Sequence, residues 1–320
     1  MIVVGVDGGA TSTKALALDA DTWRVAIATS GPSNPVNNGP ELSGRNIRES
    51  VEKVLESLGR GISELDLVFA GLAGFDSSLV KARLEPLVRQ SSGLGDKLVL
   101  DHDAYISLLS ATRGNPGVLV IAGTGSIAMG YDGEHRVILG DRGWLLGDEG
   151  SGFWVARLAL RRLRRALDGL VPHDCLTRSL STALGARTSD ELMYWFYLNK
   201  GIDRIARVAI HVSETANKGC EAAQELLARG ARILAAIASH VAVIIGVETV
   251  YAVGSLFKSR FYRQGFADEL RKRIGAKLVV GTVYPVIGAL YEALRLLGYR
   301  EAARVFMDEA VLSAARRLYS

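Results

Sequence analysis

An acid, two glycines, three hydroxyl residues and a lysine stand close together near the start of the sequence. They are Asp7, Gly8, Gly9, Thr11, Ser12, Thr13 and Lys14. Glycines can adopt positive φ, and the N–H groups of such a turn, with nearby hydroxyls, can close around a phosphate. A carboxylate at the end of a strand can hold a divalent cation, directly or through water. The segment fits a site for a nucleotide triphosphate and its metal ion, although a glycine pair also makes ordinary hairpin turns.

A second turn of the same kind occurs further along the chain. It comprises Gly123, Thr124, Gly125 and Ser126 and follows the apolar run 118–122. Each turn lies between two apolar runs, and a third predicted strand follows each pair. The sequence therefore predicts one strand–hairpin–strand unit that is used twice. Two such hairpins could face each other and hold a triphosphate from both sides.

The elements that position these turns alternate between strand and helix, which predicts an α/β fold with mixed sheets flanked by helices. Strands are predicted over 65–70, 98–100 and 250–253. Helices are predicted over 42–58, 78–90, 152–167, 259–274, 286–297 and 301–319, and 189–245 is mostly helical. We place an N-terminal lobe at residues 1–110 and a C-terminal lobe at 111–300. The last helix, within 301–320, can fold back onto the first lobe.

Acidic residues follow predicted strands or occupy tight loops at five positions. They are Asp7, Asp101, Asp103, Asp148 and Glu149. In open α/β sheets, ligands bind at the carboxyl ends of the strands. Phosphoryl transfer requires phosphate-binding groups, a metal anchor and a carboxylate that accepts the proton of the attacking hydroxyl. We assign the anchor to Asp7 and the base to Asp103 or Asp101, although Asp101 could instead cap the helix predicted to begin near Ala104.

The second turn also matches the spacing of a dinucleotide-binding fingerprint, through Gly123, Gly125 and Ala128. That fingerprint must open a helix. Here the turn runs into another β-branched segment, which favours a hairpin. The sequence contains no P-loop, no Gly-x-Ser-x-Gly elbow and no His-Glu-x-x-His motif.

Size and composition restrict the classes of protein to consider. The 320 residues suffice for about two domains, and 48% hydrophobic with 22% charged residues can bury full cores. A net charge of +4 is too small to indicate a nucleic-acid partner. The most apolar stretch, 231–247, contains Arg232, Ser239 and His240 and is predicted to be a core helix. No signal peptide is visible, and we expect a soluble cytoplasmic protein with no membrane partner.

The two cysteines, Cys175 and Cys220, are far apart in the sequence. Their spacing matches no metal site and no redox motif. We therefore expect them to be small, buried hydrophobic residues.

Six segments occur in the order that is typical of one protein family. They are Asp7–Lys14, Gly71–Gly74, Asp103-Ala104, Ala122–Ser126, Gly143–Ser151 and Val253–Ser259. Together they resemble the N-acetylglucosamine kinase and archaeal hexokinase branch of the BadF/BadG/BcrA/BcrD ATPase family. That family belongs to the actin-like sugar kinase and heat-shock superfamily, and the resemblance covers nearly the whole chain.

The resemblance implies two RNase H-like lobes around a nucleotide- and sugar-binding cleft, with ATP and Mg²⁺ as cofactors. It implies that Asp103 is the general base and that Asp7 holds Mg²⁺. The residues implied to bind ATP are Gly8, Gly9, Thr11, Ser12, Thr13, Lys14, Gly123, Thr124, Gly125, Ser126, Gly254 and Ser255. Those implied to contact the sugar are Asn34, Gly74, Asp103, Gly143 and Asp148. We therefore expect a homodimer that transfers the γ-phosphoryl group of ATP to a hydroxyl of a hexose or hexosamine. The resemblance implies that this hydroxyl is the one on C6.

Two other functions are open at this point. An ATPase activator of a 2-hydroxyacyl-CoA dehydratase resembles this chain in its nucleotide core but carries cysteines for a shared iron–sulfur cluster. Cys175 and Cys220 do not match that pattern. A sugar or nucleotide sensor would keep the fold and bind its ligand without transfer.

Overall fold

The computed structural model describes all 320 residues and separates into two compact units. Unit 1 comprises residues 1–115 and 282–320, and unit 2 comprises residues 116–281. The strands are β1 Ile2–Gly8, β2 Thr13–Asp19, β3 Arg24–Ser30, β4 Leu65–Leu72, β5 Leu98–His102, β6 Gly117–Ala122, β7 Ser126–Tyr131, β8 Arg136–Gly140, β9 Thr249–Val253 and β10 Lys277–Val280. All the predicted strands are present, and β10 is an additional edge strand that the sequence pattern did not reveal.

Helices make up most of the remaining chain. They are α1 Pro35–Asn38, α2 Pro40–Leu58, α3 Ser78–Ser92, α4 Asp103–Thr112, α5 Gly143–Leu146, α6 Gly152–Leu167, α7 Cys175–Leu184, α8 Ser189–Leu198, α9 Ile202–Ala206, α10 Val208–Asn217, α11 Glu221–Ile245, α12 Arg260–Ile274, α13 Pro285–Leu296 and α14 Glu309–Tyr319. The helix predicted over 301–319 is interrupted. A 3₁₀ turn ends at Phe306, and α14 begins after Asp308, whose carboxylate caps it by accepting hydrogen bonds from two backbone N–H groups.

Each unit contains a five-stranded sheet with the same plan. The strand order is β3-β2-β1-β4-β5 in unit 1 and β8-β7-β6-β9-β10 in unit 2. In each sheet the first three strands in sequence are antiparallel and the next two are parallel to the first. This arrangement confirms the prediction that one strand–hairpin–strand unit is used twice in an α/β fold.

Unit 1 includes a C-terminal segment that the sequence-based boundary at residue 300 assigned to the second lobe. Helix α13 lies directly on β1, and a Cβ atom at Gly5 would lie 2.4 Å from the carbonyl oxygen of Val286. A Cβ atom at Gly288 would lie 1.9 Å from the carbonyl oxygen of Ile106 in α4. Glycine is therefore needed at both contacts. Residues 282–300 belong to unit 1 and not to the second lobe, because they make these close contacts with elements that are distant in sequence.

Helix α11 is the central helix of unit 2. By length and composition it could cross a membrane, with a mean hydropathy of 1.5 over its most apolar window, but half of that window is buried. Leu227, Leu234, Ala238 and Val241 are fully buried in the core of the unit. The burial agrees with the prediction of a core helix.

A disulfide joins Cys175 and Cys220, and their Cα atoms lie 5.7 Å apart. The expectation that both cysteines are small, buried hydrophobic residues is therefore wrong, because they are linked and only Cys220 is buried. Cys175 is the first residue of α7, and Cys220 immediately precedes α11. The packing of α7 on α11 brings the two thiols together across 45 residues, and sequence spacing cannot show this.

We expect the Cys175→Ser/Cys220→Ser double variant to be less stable than wild type by about 2–4 kcal/mol, because the disulfide limits the freedom of a long loop in the unfolded chain. Denaturant unfolding with and without dithiothreitol measures the difference. Reductant should destabilise the wild type and leave the double variant unchanged. Equal unfolding of wild type and double variant without reductant would show that the link contributes no stability.

Candidate functional site

The carboxyl ends of three neighbouring strands in unit 1 bring acidic residues together. Asp7 on β1 pairs in register with Gly71 on β4, and Gly71 pairs with Asp101 on β5. On its other side Asp7 lies opposite Lys14 of β2. Asp103 is the first residue of α4, directly after β5. The predicted metal anchor and both candidate bases are therefore at one edge of one sheet.

The Asp7 carboxylate is mostly buried and has a specific partner from the end of the chain. The hydroxyl of Tyr319 donates a hydrogen bond of 2.6 Å to Asp7 Oδ2. Burial raises the pKa of Asp7, the Tyr319 hydrogen bond lowers it, the Asp103 charge raises it and Lys14 lowers it, in that order of importance. A buried carboxylate near a second acid is an environment that a cation would stabilise. The sequence contained no signal for Tyr319, because the contact spans 312 positions.

The Asp103 carboxylate lies beside the side chain of the residue before it. Its Oδ1 is 2.7 Å from Nδ1 of His102. That nitrogen accepts the N–H of Ala104 at 2.9 Å and so has no proton to donate to the carboxylate. Nε2 of this buried imidazole is 3.5 Å from Asp76 Oδ1. Asp103 Oδ2 makes no hydrogen bond with the protein, so this oxygen is the one able to accept a proton from a substrate.

Helix α4 is capped by His102 and not by Asp101. His102 accepts the Ala104 N–H and is the N-cap residue. Asp101 Oδ1 instead accepts the backbone N–H of His102 at 2.7 Å, and Lys81 lies 3.9 Å from it. The sequence suggested Asp101 because aspartate is a common N-cap. A histidine between two acids was the available signal for His102.

The glycines of the first turn serve close packing and have no positive φ. A Cβ atom at Gly8 would lie 2.3 Å from Leu72 and 2.5 Å from the Ser33 hydroxyl. The Gly9 N–H donates to the carbonyl of Ser12 at 3.0 Å, and the Gly9 carbonyl accepts the N–H of Ser33 at 3.0 Å. The expectation that these glycines supply left-handed backbone is wrong. The backbone of Gly9 instead forms hydrogen bonds that fix the turn.

Thr13 points into the protein and not toward a ligand. Its side chain is fully buried, and its hydroxyl lies 2.6 Å from the carbonyl of Gly31 and 2.7 Å from the Ser33 hydroxyl. Thr13 begins β2, so its side-chain direction follows from strand alternation. The hydroxyl is therefore committed to the fold, which removes it from the predicted phosphate-binding set. The side chains of Thr11, Ser12 and Lys14 stay at least partly exposed.

Asn34 and Gly74, both predicted to contact a sugar, lie together in unit 1. The Asn34 Oδ1 caps α1 by accepting the N–H groups of Val36 and Asn37 at 2.9 and 3.0 Å. Gly74 has a φ of +92°, and a Cβ atom there would lie 2.6 Å from Asn34 Oδ1. Because the oxygen is engaged, the Asn34 amide nitrogen is the group that could donate to a ligand hydroxyl.

The second glycine turn, in unit 2, is tied to the N-terminus of α6. The N–H of Gly123 donates to the carbonyl of Gly125 at 3.0 Å. The carbonyls of Gly123 and Thr124 accept the N–H groups of Gly152 and Phe153 at 2.8 and 3.1 Å. A Cβ atom at Gly152 would lie 2.8 Å from the Gly123 carbonyl oxygen. The turn is thus fixed in position by the helix that follows the Gly143–Ser151 segment.

Asp148 packs against this second turn. Its Oδ1 accepts the N–H of Ser126 at 3.0 Å, and a Cβ atom at Gly125 would lie 2.9 Å from the same oxygen. The Ser126 hydroxyl donates to the carbonyl of Glu149 at 2.9 Å. Burial raises the pKa of Asp148, the Ser126 N–H lowers it, and the charges of Asp141 and Glu149 raise it. The structure therefore brings a predicted sugar contact and a predicted phosphate contact together.

Gly254 directly follows β9, and its backbone lies against the end of β6, next to the second turn. It has a φ of +110°, and a Cβ atom there would lie 2.3 Å from the carbonyl oxygen of Ala122. Gly254 and Ser255 are both exposed, so the predicted adenosine contacts adjoin the predicted phosphate turn. Gly143 begins the exposed helix α5, and a Cβ atom there would contact nothing within 4 Å.

The model of one protein family matches residues 4–293 of this chain. The chain belongs to the BadF/BadG/BcrA/BcrD ATPase family. The sequence is 29% identical to an N-acetyl-D-glucosamine kinase of Dictyostelium discoideum, over 92% of this chain and 98% of that protein. It is 28% identical to an N-acetylmuramic acid/N-acetylglucosamine kinase of Clostridium acetobutylicum, over 72% of this chain and 76% of that protein.

A solved structure supports the fold of this ATPase-family member. It is described as a candidate N-acetylglucosamine kinase from Chromobacterium violaceum. The two chains superpose with a TM-score of 0.73 at 27% identity, over 91% of this chain and 98% of the other. The two five-stranded sheets therefore belong to the actin-like sugar kinase fold class.

The raised pKa of Asp148 predicts a specific pH dependence of stability. The folded protein binds this proton more tightly than the unfolded chain does, so the free energy of unfolding falls as pH rises through the folded-state pKa. Asp148→Asn keeps an oxygen acceptor for the Ser126 N–H but removes the charge. Its stability relative to wild type should therefore increase from acidic to neutral pH, as measured by denaturant unfolding at several pH values.

Asp132→Asn is the matched control in the same unit. Hydrogen bonds from the His135 and Glu134 N–H groups lower the pKa of Asp132, so this charge stabilises the folded state above the ordinary pKa range. The control variant should lose stability relative to wild type as pH rises. Parallel pH profiles for wild type and Asp148→Asn would contradict the assignment.

Proposed function

We propose that this protein transfers the γ-phosphoryl group of ATP to a hydroxyl, C6, of a hexose or hexosamine such as N-acetylglucosamine, glucosamine or glucose. The observation that carries the proposal is the pairing of two carboxylates with different environments at one sheet edge. Asp7 is half-buried and accepts a hydrogen bond from Tyr319, whereas Asp103 is partly exposed and has its Oδ1 beside His102. Asp7 is suited to binding a cation, and Asp103 is suited to accepting the proton of a hydroxyl.

Asp103 acts as the general base of the proposed reaction. As the sugar oxygen forms its bond to the γ-phosphorus, the hydroxyl proton passes to Asp103 Oδ2. The bond from phosphorus to the bridging oxygen breaks, and ADP leaves. A positioned base of this kind contributes about 10²–10⁴-fold to the rate.

The Asp7 carboxylate suits Mg²⁺, which proteins usually bind through one or two carboxylates together with phosphate oxygens and water. Mg²⁺, when bound with ATP, neutralises charge on the phosphate oxygens. The groups proposed to contact the phosphates are Lys14, the hydroxyls of Thr11 and Ser12, which are at least partly exposed, and the backbone of the turns at Gly8-Gly9 and Gly123–Ser126. Gly254 and Ser255 are proposed to contact the adenosine.

We propose that the sugar is contacted by polar groups whose orientations are fixed by other hydrogen bonds. Asn34 would donate through its amide nitrogen, and Asp148 would accept through the oxygen that Ser126 does not occupy. Gly74 and Gly143 would contribute backbone groups.

We also propose that the protein acts in the cytoplasm as a homodimer. Disulfides are rare in that compartment except in hyperthermophiles, so Cys175–Cys220 suggests a heat-adapted source.

The dehydratase-activator alternative is disfavoured by one observation. Such a protein needs cysteine thiolates for its iron–sulfur cluster, and both cysteines of this chain form an internal disulfide. An assay distinguishes the sensor alternative from the kinase, because a sensor would bind sugar without turnover.

A coupled assay of ADP release tests the proposed function with N-acetylglucosamine, glucosamine, glucose and mannose. At least one sugar should stimulate turnover in the presence of MgATP. If none does, and binding of the sugars is nonetheless detected, the protein is a sensor and the kinase proposal fails.

Asp103→Asn should lower kcat by at least about 10²-fold, because it removes the proton acceptor. ATP affinity, measured by calorimetry, should be nearly unchanged. Asp101→Asn is the matched control, since Asp101 Oδ1 already accepts the His102 N–H. The reverse result, with activity lost in Asp101→Asn and kept in Asp103→Asn, would move the base to Asp101.

A further inference from the structure

Two opposite charges that lie directly across a strand pair do not form an ion pair in unit 1. Asp7 of β1 and Lys14 of β2 are register partners. Opposite charges at such positions lie close enough to attract each other. Each instead contacts the same third side chain, that of Tyr319 near the end of the chain.

Tyr319 makes chemically different contacts with the two charged groups. Its hydroxyl donates to Asp7 Oδ2 at 2.6 Å. The ammonium group of Lys14 lies over the face of its ring, 4.7 Å from the centroid, in a cation–π contact. One aromatic residue thus satisfies both groups without neutralising either of them.

The position of Tyr319 is fixed by the fold of unit 1. Its oxygen accepts the N–H of Val286 in α13 at 3.4 Å. Its ring packs on that of Tyr284, with centroids 5.7 Å apart. Helix α13 is itself held against β1 through the close contact at Gly5. The phenol is therefore held at the sheet edge by elements that do not depend on Asp7.

We propose that Tyr319 is a positioning residue that keeps the Asp7 carboxylate and the Lys14 ammonium apart. Asp7 then stays oriented toward a metal ion, and the Lys14 ammonium stays available to a phosphate. This inference rests on the proposed function, because it assigns the metal to Asp7 and phosphate contacts to Lys14. It adds a residue outside all six motif segments and makes the C-terminal helix part of the nucleotide site.

Two substitutions separate the two contacts of Tyr319. Tyr319→Phe keeps the ring under Lys14 and removes only the hydrogen bond to Asp7. Tyr319→Leu removes both, so that Lys14 can pair with Asp7. Tyr284→Phe is the matched control, because it removes a phenolic hydroxyl from the adjoining ring, which packs against Tyr319 in a tilted ring–ring contact.

The readouts are binding measurements that do not depend on turnover. Mn²⁺ affinity at saturating ADP is measured by electron paramagnetic resonance, and metal-free ADP affinity by calorimetry. Tyr319→Phe should weaken Mn²⁺ binding by about 10-fold or more, as loss of a residue that orients a metal ligand typically does, and leave metal-free ADP affinity unchanged. Tyr319→Leu should weaken both, and Tyr284→Phe neither.

Thermal unfolding of each variant identifies a purely structural role. If Tyr319→Phe and Tyr319→Leu lower Tm but bind Mn²⁺ and ADP like the wild type, Tyr319 only docks α14 and the inference is overturned. Failure of the wild type itself to bind Mn²⁺ with ADP would instead overturn the proposed function.

Discussion

The carboxylate of Asp7 is held in a mostly buried position at the end of β1, where its charge must be compensated by nearby groups. An unpaired buried charge is costly, and the surroundings of Asp7 reflect that cost. Tyr319 donates to it from the last helix, and Lys14 lies across the ladder without pairing directly with it. A metal ion would complete this compensation. The edge of the sheet is therefore arranged around a charge that the protein satisfies only in part.

Close packing of the backbone allows this arrangement. Gly5 and Gly288 permit α13 to approach β1 and α4 at distances that no side chain would tolerate. That approach places Val286 where its N–H meets the Tyr319 oxygen. The second glycine turn follows the same principle, since Gly125 leaves room for the Asp148 carboxylate and Gly254 for the end of β6. In both units, the main role of these glycines is to allow close contact between elements, and not to bend the chain.

Local pattern was enough to predict the repeated strand–hairpin–strand unit and the sheet-edge location of Asp7 and Asp103, because strand alternation and turn composition are short-range signals. It failed wherever a long-range contact decides the role of a side chain. Thr13 belongs to a hydroxyl-rich turn but is directed inward to Gly31 and Ser33. The Cys175–Cys220 link and the Tyr319 contact join residues that are far apart in sequence.

The most direct test of the central claim is the stoichiometry of phosphoryl transfer. Wild-type protein is incubated with MgATP and N-acetylglucosamine, glucosamine or glucose, and ADP and sugar phosphate are quantified together by ³¹P NMR. We expect one sugar phosphate for each ADP formed with at least one of these sugars, and little ADP without sugar. ADP formation that does not depend on sugar and yields no phosphorylated sugar would contradict it.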